Sequence, residues 1–272
     1  MSTVTLGAPD LAIAASLIFL DAGISLYFGL RLHRPLIIAA VRMVVQLLLV
    51  GLVLRAVFAT ESAAVTLIIA LLMIGAAARE VAVRPKQRLQ RWGNYRIASI
   101  IVGVASTTTV LLALTTAIRP EPWYDPRYAI PLMGIVLGSV LNSASVSLDA
   151  FLGAVTTSRN QVEARLALGA TLHQALEPLM RDAMRKGLIP IINQMSAAGI
   201  ITLPGVMTGQ LLAGMDPFDA VKYQILLLFL LAGSSGLASG GAVYLASKSI
   251  GDDRERLRLD RLQPTGSEKR PE

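Results

Sequence analysis

The chain has 272 residues, of which 54% are hydrophobic and 16% charged, with mean hydropathy +0.60 and a net charge of +7. An ordinary soluble domain carries roughly 25% charged residues, so this composition excludes a water-soluble globular protein and points to an integral membrane protein. The absence of cysteine excludes a disulfide scaffold and thiolate metal ligation, and the basic residues lie beside apolar runs, as topology signals do, rather than forming a nucleic-acid surface.

The first ten residues, MSTVTLGAPD, contain no basic residue and so lack the pattern of a cleaved secretory signal. Leu11 to Leu30 is long enough for a first span, interrupted by Asp21, and Arg31, His33, Arg34 and Pro35 end it. A second span runs from Leu36 to about Phe58 and contains Arg42, Gln46 and Arg55. Glu61 opens a third, Ser62 to Ala78, and a basic loop leads to a fourth, Ile97 to Ile118. The prolines of RPEPWYDPR forbid a continuous helix into the fifth span, Tyr128 to about Leu152. Leu188 to Gly214 is the sixth and Val221 to Ala246 the seventh. These predict an all-α, polytopic membrane domain over residues 1–250 with seven transmembrane helices and its two ends on opposite sides.

Twenty of the 25 basic residues fall in 31–34, 79–96, 153–187 and the stretch from 248 onward, whereas the loops on the other side hold four. The positive-inside bias makes the first set cytoplasmic, which predicts an N-out, C-in orientation and a cytoplasmic coupling region at 153–187. Residues 251–272 alternate charge with no apolar face and predict a disordered cytoplasmic tail.

Within the coupling region Glu163, Ala164 and Gly169 match the E-A-x-x-x-x-G opening of the cytoplasmic coupling loop in many ATP-binding-cassette importers. A short helix with small residues seats closely in a partner's groove, and glycine lets the chain turn at its end. An ordinary surface helix fits the same residues. Arg181, Asp182, Arg185 and Lys186 add a charged rim suited to a soluble subunit or to anionic lipid.

Polar groups inside spans are costly unless paired or facing a passage. Asp21 lies in the first span, and Arg42 and Gln46 share a face of the second. The fifth carries Asn142 and Asp149 on a polar stripe, and the sixth mixes Gln194 and Gln210 with Met195 and Met207. An oxygen-rich lining suits a hard or borderline cation, softened by the methionines, which makes Asp149 and Asn142 the candidates to meet it. Hydrogen bonding between helices is the alternative for each. Gly205 and Gly209 form G-x-x-x-G, a close-packing motif, and Pro204 is expected to kink or break the sixth span near mid-membrane.

Arg42 with Gln46 in VRMVVQLLLVG, LALGAT at 166–171, RDAMRKGLIP at 181–190 and above all GIITLPGVMTGQLLAGMDPFDAVKYQI at 199–225 resemble the FetB-type permease subunits of bacterial ATP-driven iron exporters. That family is itself similar to plant aluminium-tolerance membrane proteins, and the resemblance covers roughly residues 10–250. It implies a homodimer in the bacterial inner membrane, working with two copies of a separate ATPase to move iron out of the cytoplasm. The chain has no G-x-x-x-x-G-K-[ST] loop and no H-E-x-x-H, and His33 and His173 are far apart. It is therefore expected to be a transport subunit and not an enzyme, binding no cofactor, with ATP and Mg²⁺ on the partner. Two other readings stay open: an ion-coupled secondary transporter using Asp21 and Asp149, and a membrane scaffold that docks a cytoplasmic protein.

Overall fold

The computed structural model describes residues 7–30, 32–60, 62–89, 93–252 and 254–264, and among them are nine α-helices and one two-stranded sheet. Residues 1–6, Arg31, Glu61, 90–92, Asp253 and 265–272, on which the expected outer N-terminus, the two cytoplasmic charges Arg31 and Arg91, the opening of the third span and parts of the tail fall, lie outside the described residues. Among the described residues six helices are long and apolar enough to cross a membrane: α1 (Ala8–Tyr27), α2 (His33–Thr60), α3 (Ala63–Val83), α4 (Gly93–Leu112) with the π-helical turn Ala113–Ile118 that extends it, α5 (Pro126–Thr157) and α9 (Pro217–Ser249). The protein is thus an all-α polytopic membrane protein.

The chain divides into two compact units, residues 1–60 and 61–272. In the first, α1 and α2 form a hairpin. Gly29, at φ +65, makes the turn, and the Leu32 amide donates to Ser25 Oγ at 2.9 Å. Leu17, Phe19 and Leu20 of α1 and Leu47 and Leu48 of α2 are exposed, as side chains meeting lipid are expected to be.

In the second unit α5 is the central helix, touching α3, α4, α7 (Leu172–Ala197) and α9. Val136, Val140, Leu148, Phe151 and Leu152 of α5 are fully buried together with Val102, Leu176 and Val243. Both α5 and α9 begin at an Asp-Pro pair. Asp125 accepts the Arg127 amide at 2.9 Å, Asp216 accepts the Phe218 amide at 2.9 Å, and the following proline has no amide to leave orphaned. At 1.5 Å per residue these helices of 32 and 33 residues are about 48 Å long, against about 30 Å of hydrocarbon. Their ends therefore project into water.

The expected sixth span, Leu188 to Gly214, is not one helix. The charged later part of the coupling region, from Leu172, and the apolar segment after Gly187 form a single rod, α7, which ends at Ala197; α8 (Gly205–Leu212) follows after a tight turn. The turn closes on itself: the Ala197 carbonyl accepts the amides of Ile201 and Thr202 at 3.0 Å, and Gly199, at φ +83, takes the left-handed conformation that breaks the helix. Pro204 therefore caps α8 and does not kink a continuous helix. The stretch after α9 also differs from the expected disordered tail as far as residue 264, because β2 (Leu262–Pro264) pairs antiparallel with β1 (Gln87–Leu89) in the α3–α4 loop. Main-chain pairing, ion pairs and the packing of Leu257, Leu259 and Leu262 against the core hold it.

Candidate transport and coupling site

Two regions of the second unit carry most of the residues singled out above. One is the α6–α7 turn. The helix α6 (Arg159–Ala167) is pinned by the buried Val162, and its carbonyls are closed by Leu168, Gly169 and Ala170 amides. Gly169 has φ +89, a conformation that strains other residues. Thr171 and Gln174 then form a reciprocal capping box at the start of α7. Glu163 and Ala164 are exposed, and Glu163 pairs with Arg159 at 2.7 Å. On α7 Arg181 pairs with Glu177 at 2.5 Å and Asp182 with Lys186 at 2.7 Å, leaving Arg185 exposed. Exposed pairs of this kind contribute less than about 1 kcal/mol, so the rim is an accessible charge pattern more than a stabilising one. Leu168, 88% exposed at the tip of the turn, was not anticipated; its signal is an apolar residue directly before a helix-ending glycine.

The other region is the junction of α5, α7 and α9. Ser139 meets Ser235 at 2.7 Å and Ser147 meets Ser239 at 2.6 Å, so the numbering of α5 and α9 rises together and the helices run in the same direction. Gly187 lies against Ser147 and Ser143, with Pro190 and Gln194 near Ser143 and Ser139, so α7 runs the opposite way. Ser239 Oγ also donates to the Met184 carbonyl at 3.2 Å. Interhelical hydrogen bonds in membranes average roughly 0.6 kcal/mol. The close fit of Gly187, whose disturbance costs about 1–3 kcal/mol, outweighs any one of them. By contrast, Gly205 and Gly209 face open space, so their G-x-x-x-G spacing packs against nothing within the described residues.

Beside this junction, an open cavity of about 240 Å³ is lined by Ser139, Asn142, Ser143, Pro190, Gln194 and Leu231 among others. Asn142 lies at the middle of α5, and its side chain and that of Gln194 are exposed without a hydrogen-bond partner among the described residues. Pro190 adds a further polar group, because it has no amide hydrogen for the carbonyl of Lys186 one turn before. The collected groups are neutral oxygens and amides.

The structure does not bring Asp149 into this cavity. It lies two turns further along α5, where its carboxylate accepts the Lys86 amide at 2.7 Å and anchors the α3–α4 loop beside β1. A hydrogen bond to a charged acceptor contributes about 1.5–3 kcal/mol. Asp149→Leu should therefore speed tryptic cleavage at Lys86 several-fold, while Asp149→Asn, which keeps an acceptor oxygen, should leave it near wild type. Equal protection in both variants would remove the anchoring role. Asp21, Arg42 and Gln46 belong to the first unit, are exposed, and form no ion pair or side-chain hydrogen bond among the described residues. Met195, Met207 and Gln210 are half-buried, and Gln210 Oε1 has no donor. Among the described residues no three His, Asp or Glu side chains form a metal-holding group.

Outside the membrane, two carboxylates after α9 are shifted. Hydrogen bonds from Arg258 hold Asp260 down at about 2, and Asp252 is lowered chiefly by the Arg256 amide.

The family model described as "Uncharacterised protein family (UPF0014)" matches residues 8–250. The chain belongs to this family. It is 37% identical over 206 residues to "UPF0014 membrane protein slr1647" of Synechocystis, covering 75% of this chain and 78% of the relative. To "Probable iron export permease protein FetB" of Escherichia coli it is 30% identical over 254 residues, 93% of this chain and 96% of the relative. "Protein ALUMINUM SENSITIVE 3" of Arabidopsis thaliana is 27% identical over 239 residues, 88% of this chain and 85% of the plant protein. No solved structure matches. At the family level, then, this UPF0014 chain is a multi-pass membrane protein consistent with metal transport and homologous to a permease-type membrane protein.

Proposed function

We propose that this chain is the membrane-spanning permease subunit of an ATP-binding-cassette exporter that moves a metal cation, iron, out of the cytoplasm of a bacterium. It works as a homodimer with two copies of a separate ATPase that binds ATP and Mg²⁺. The observation that carries the reading is the continuity of α7. Its capped N-terminus adjoins the exposed α6–α7 turn, and Gln194, about 33 Å further along at 1.5 Å per residue, lines the mid-span cavity. A push on the turn by the ATPase is thereby delivered to the cavity, which opens alternately to the two sides. The alignment over nearly the whole of the E. coli protein named as an iron export permease supports the substrate and direction.

The same reading has seven crossings. Because α5 and α9 run in the same direction, the chain between them must return from one side to the other, and α7 with α8 makes that return despite the break at Gly199. The basic residues favour the end bearing α6 as cytoplasmic. Exposed Asn142 and Gln194 at mid-span face a second copy and the passage between copies, since lipid is a poor neighbour for an amide.

The test has two parts. A cysteine placed at Asp125 should react with an impermeant thiol reagent in intact cells and one at Gln174 should not; labelling of Gln174 reverses the orientation. Purified permease and ATPase in vesicles should show ATP-dependent flux of iron when iron, manganese, zinc and aluminium are compared. An active ATPase complex that moves none of them rules out metal export.

A further inference from the structure

The residues after α9 build a second wall beside the coupling turn. Asp252 accepts the amides of Arg254 and Arg256 at 3.0 and 2.9 Å and the Arg256 guanidinium at 2.9 Å. This knot holds Glu255 at φ +56, a left-handed conformation uncommon outside glycine, with its carboxylate on the Leu172 amide at 2.6 Å. Glu255 thus caps the N-terminus of α7 from outside the helix. Arg261 donates to the Ser249 and Gly251 carbonyls at 2.9 and 2.8 Å, closing the C-terminal end of α9, and β2 then pairs with β1. One stretch of chain therefore ties together α9, the start of α7 and the α3–α4 loop.

Between this stretch and α6 lies an open cavity of about 440 Å³. Glu163, Leu166 and Ala170 form one side; Arg254, Arg256 and Leu257 form the other. Leu166, Ala170 and Leu257 give the cavity an apolar floor. Most of its charges are already satisfied: Glu163 by Arg159, Arg256 by Asp252 and Glu255 by the Leu172 amide. The guanidinium of Arg254 is exposed and has no partner among the described residues. An apolar floor beside one uncommitted cation fits a short segment that offers an apolar side chain and a carboxylate.

We propose that residues 251–264 form the second wall of the ATPase dock, and that the segment they receive from the ATPase is acidic and apolar. This rests on the permease reading above, which puts the ATPase at α6. Docking then bears on α6, the cap of α7 and the α3–α4 loop together. The charge of Arg254 makes the dock sensitive to salt.

The test uses full-length permease in detergent and the purified ATPase that supports flux in vesicles. Arg254→Glu should raise the dissociation constant at least about tenfold at low salt and flatten its salt dependence, with the permease's melting temperature unchanged. Gly169→Trp, on the opposite side, should also weaken binding. If Gly169→Trp abolishes binding while Arg254→Glu binds as wild type does, the second wall is overturned and the permease reading stands. If Arg254→Glu loses only adhesion to phosphatidylglycerol vesicles, the arginine serves the lipid surface and the inference is likewise overturned. Wild-type permease that binds no ATPase removes both.

Discussion

Replacing Gly187 by alanine should lower the stability of the purified protein by about 1–3 kcal/mol, the range for adding atoms to a filled site. A Cβ at this position would collide with Ser147 Oγ and would lie 2.8 Å from Ser239 Oγ and 2.9 Å from the Ser143 carbonyl. Ser147 would have to move, breaking its hydrogen bond to Ser239, while the carbonyl is main chain and can shift only with α5. A larger side chain should prevent α7 from packing at all. Because steric collision is the cause, Ser147→Gly added to Gly187→Ala should restore part of the loss, although that second change by itself removes a hydrogen bond. Thermal unfolding in detergent measures this directly. A Gly187→Ala protein as stable as wild type would show that α7 does not seat against α5 and α9 as described.

A change in the cavity should act in the opposite way, leaving the fold intact and stopping transport. Asn142→Leu and Gln194→Leu replace exposed amides that have no hydrogen-bond partner among the described residues, so folded yield and melting temperature are expected to hold. Metal flux in vesicles should fall at least about tenfold, which corresponds to about 1.4 kcal/mol on the limiting barrier. ATPase binding should persist, because the coupling turn is about 33 Å away along α7. Serine in place of Asn142 keeps an oxygen and should retain more flux than leucine. Wild-type flux in both leucine variants would sink the assignment of this cavity to the passage.

Several elements were legible before any coordinates. Apolar runs separated by basic loops located the six long helices, because burying a backbone in lipid requires uninterrupted helix and the flanking charges cannot enter. The polar stripe with Asn142 was visible from its spacing. The Asp-Pro caps at 125–126 and 216–217 and the Thr171–Gln174 capping box are local signals of the same kind, each of which depends only on neighbours in sequence.

By itself the sequence determined that this is a helical membrane protein with a charged segment before an apolar one, since length, hydropathy and caps are local properties. It could not decide which polar residues meet. Asp149 and Asn142 share a stripe, yet one bonds the Lys86 amide 63 residues away and the other lines a cavity with Gln194 of a different helix. Nor could the G-x-x-x-G spacing reveal that Gly187, with no such motif, makes the close approach. Pro204 looked like the breaker, but the helix already ends before Gly199, because the turn there is closed by hydrogen bonds to the Ala197 carbonyl. The pairing of β2 with β1 joins residues 262–264 to 87–89. Such choices depend on which surfaces the tertiary fold brings within a few ångströms, and no window of sequence contains both partners.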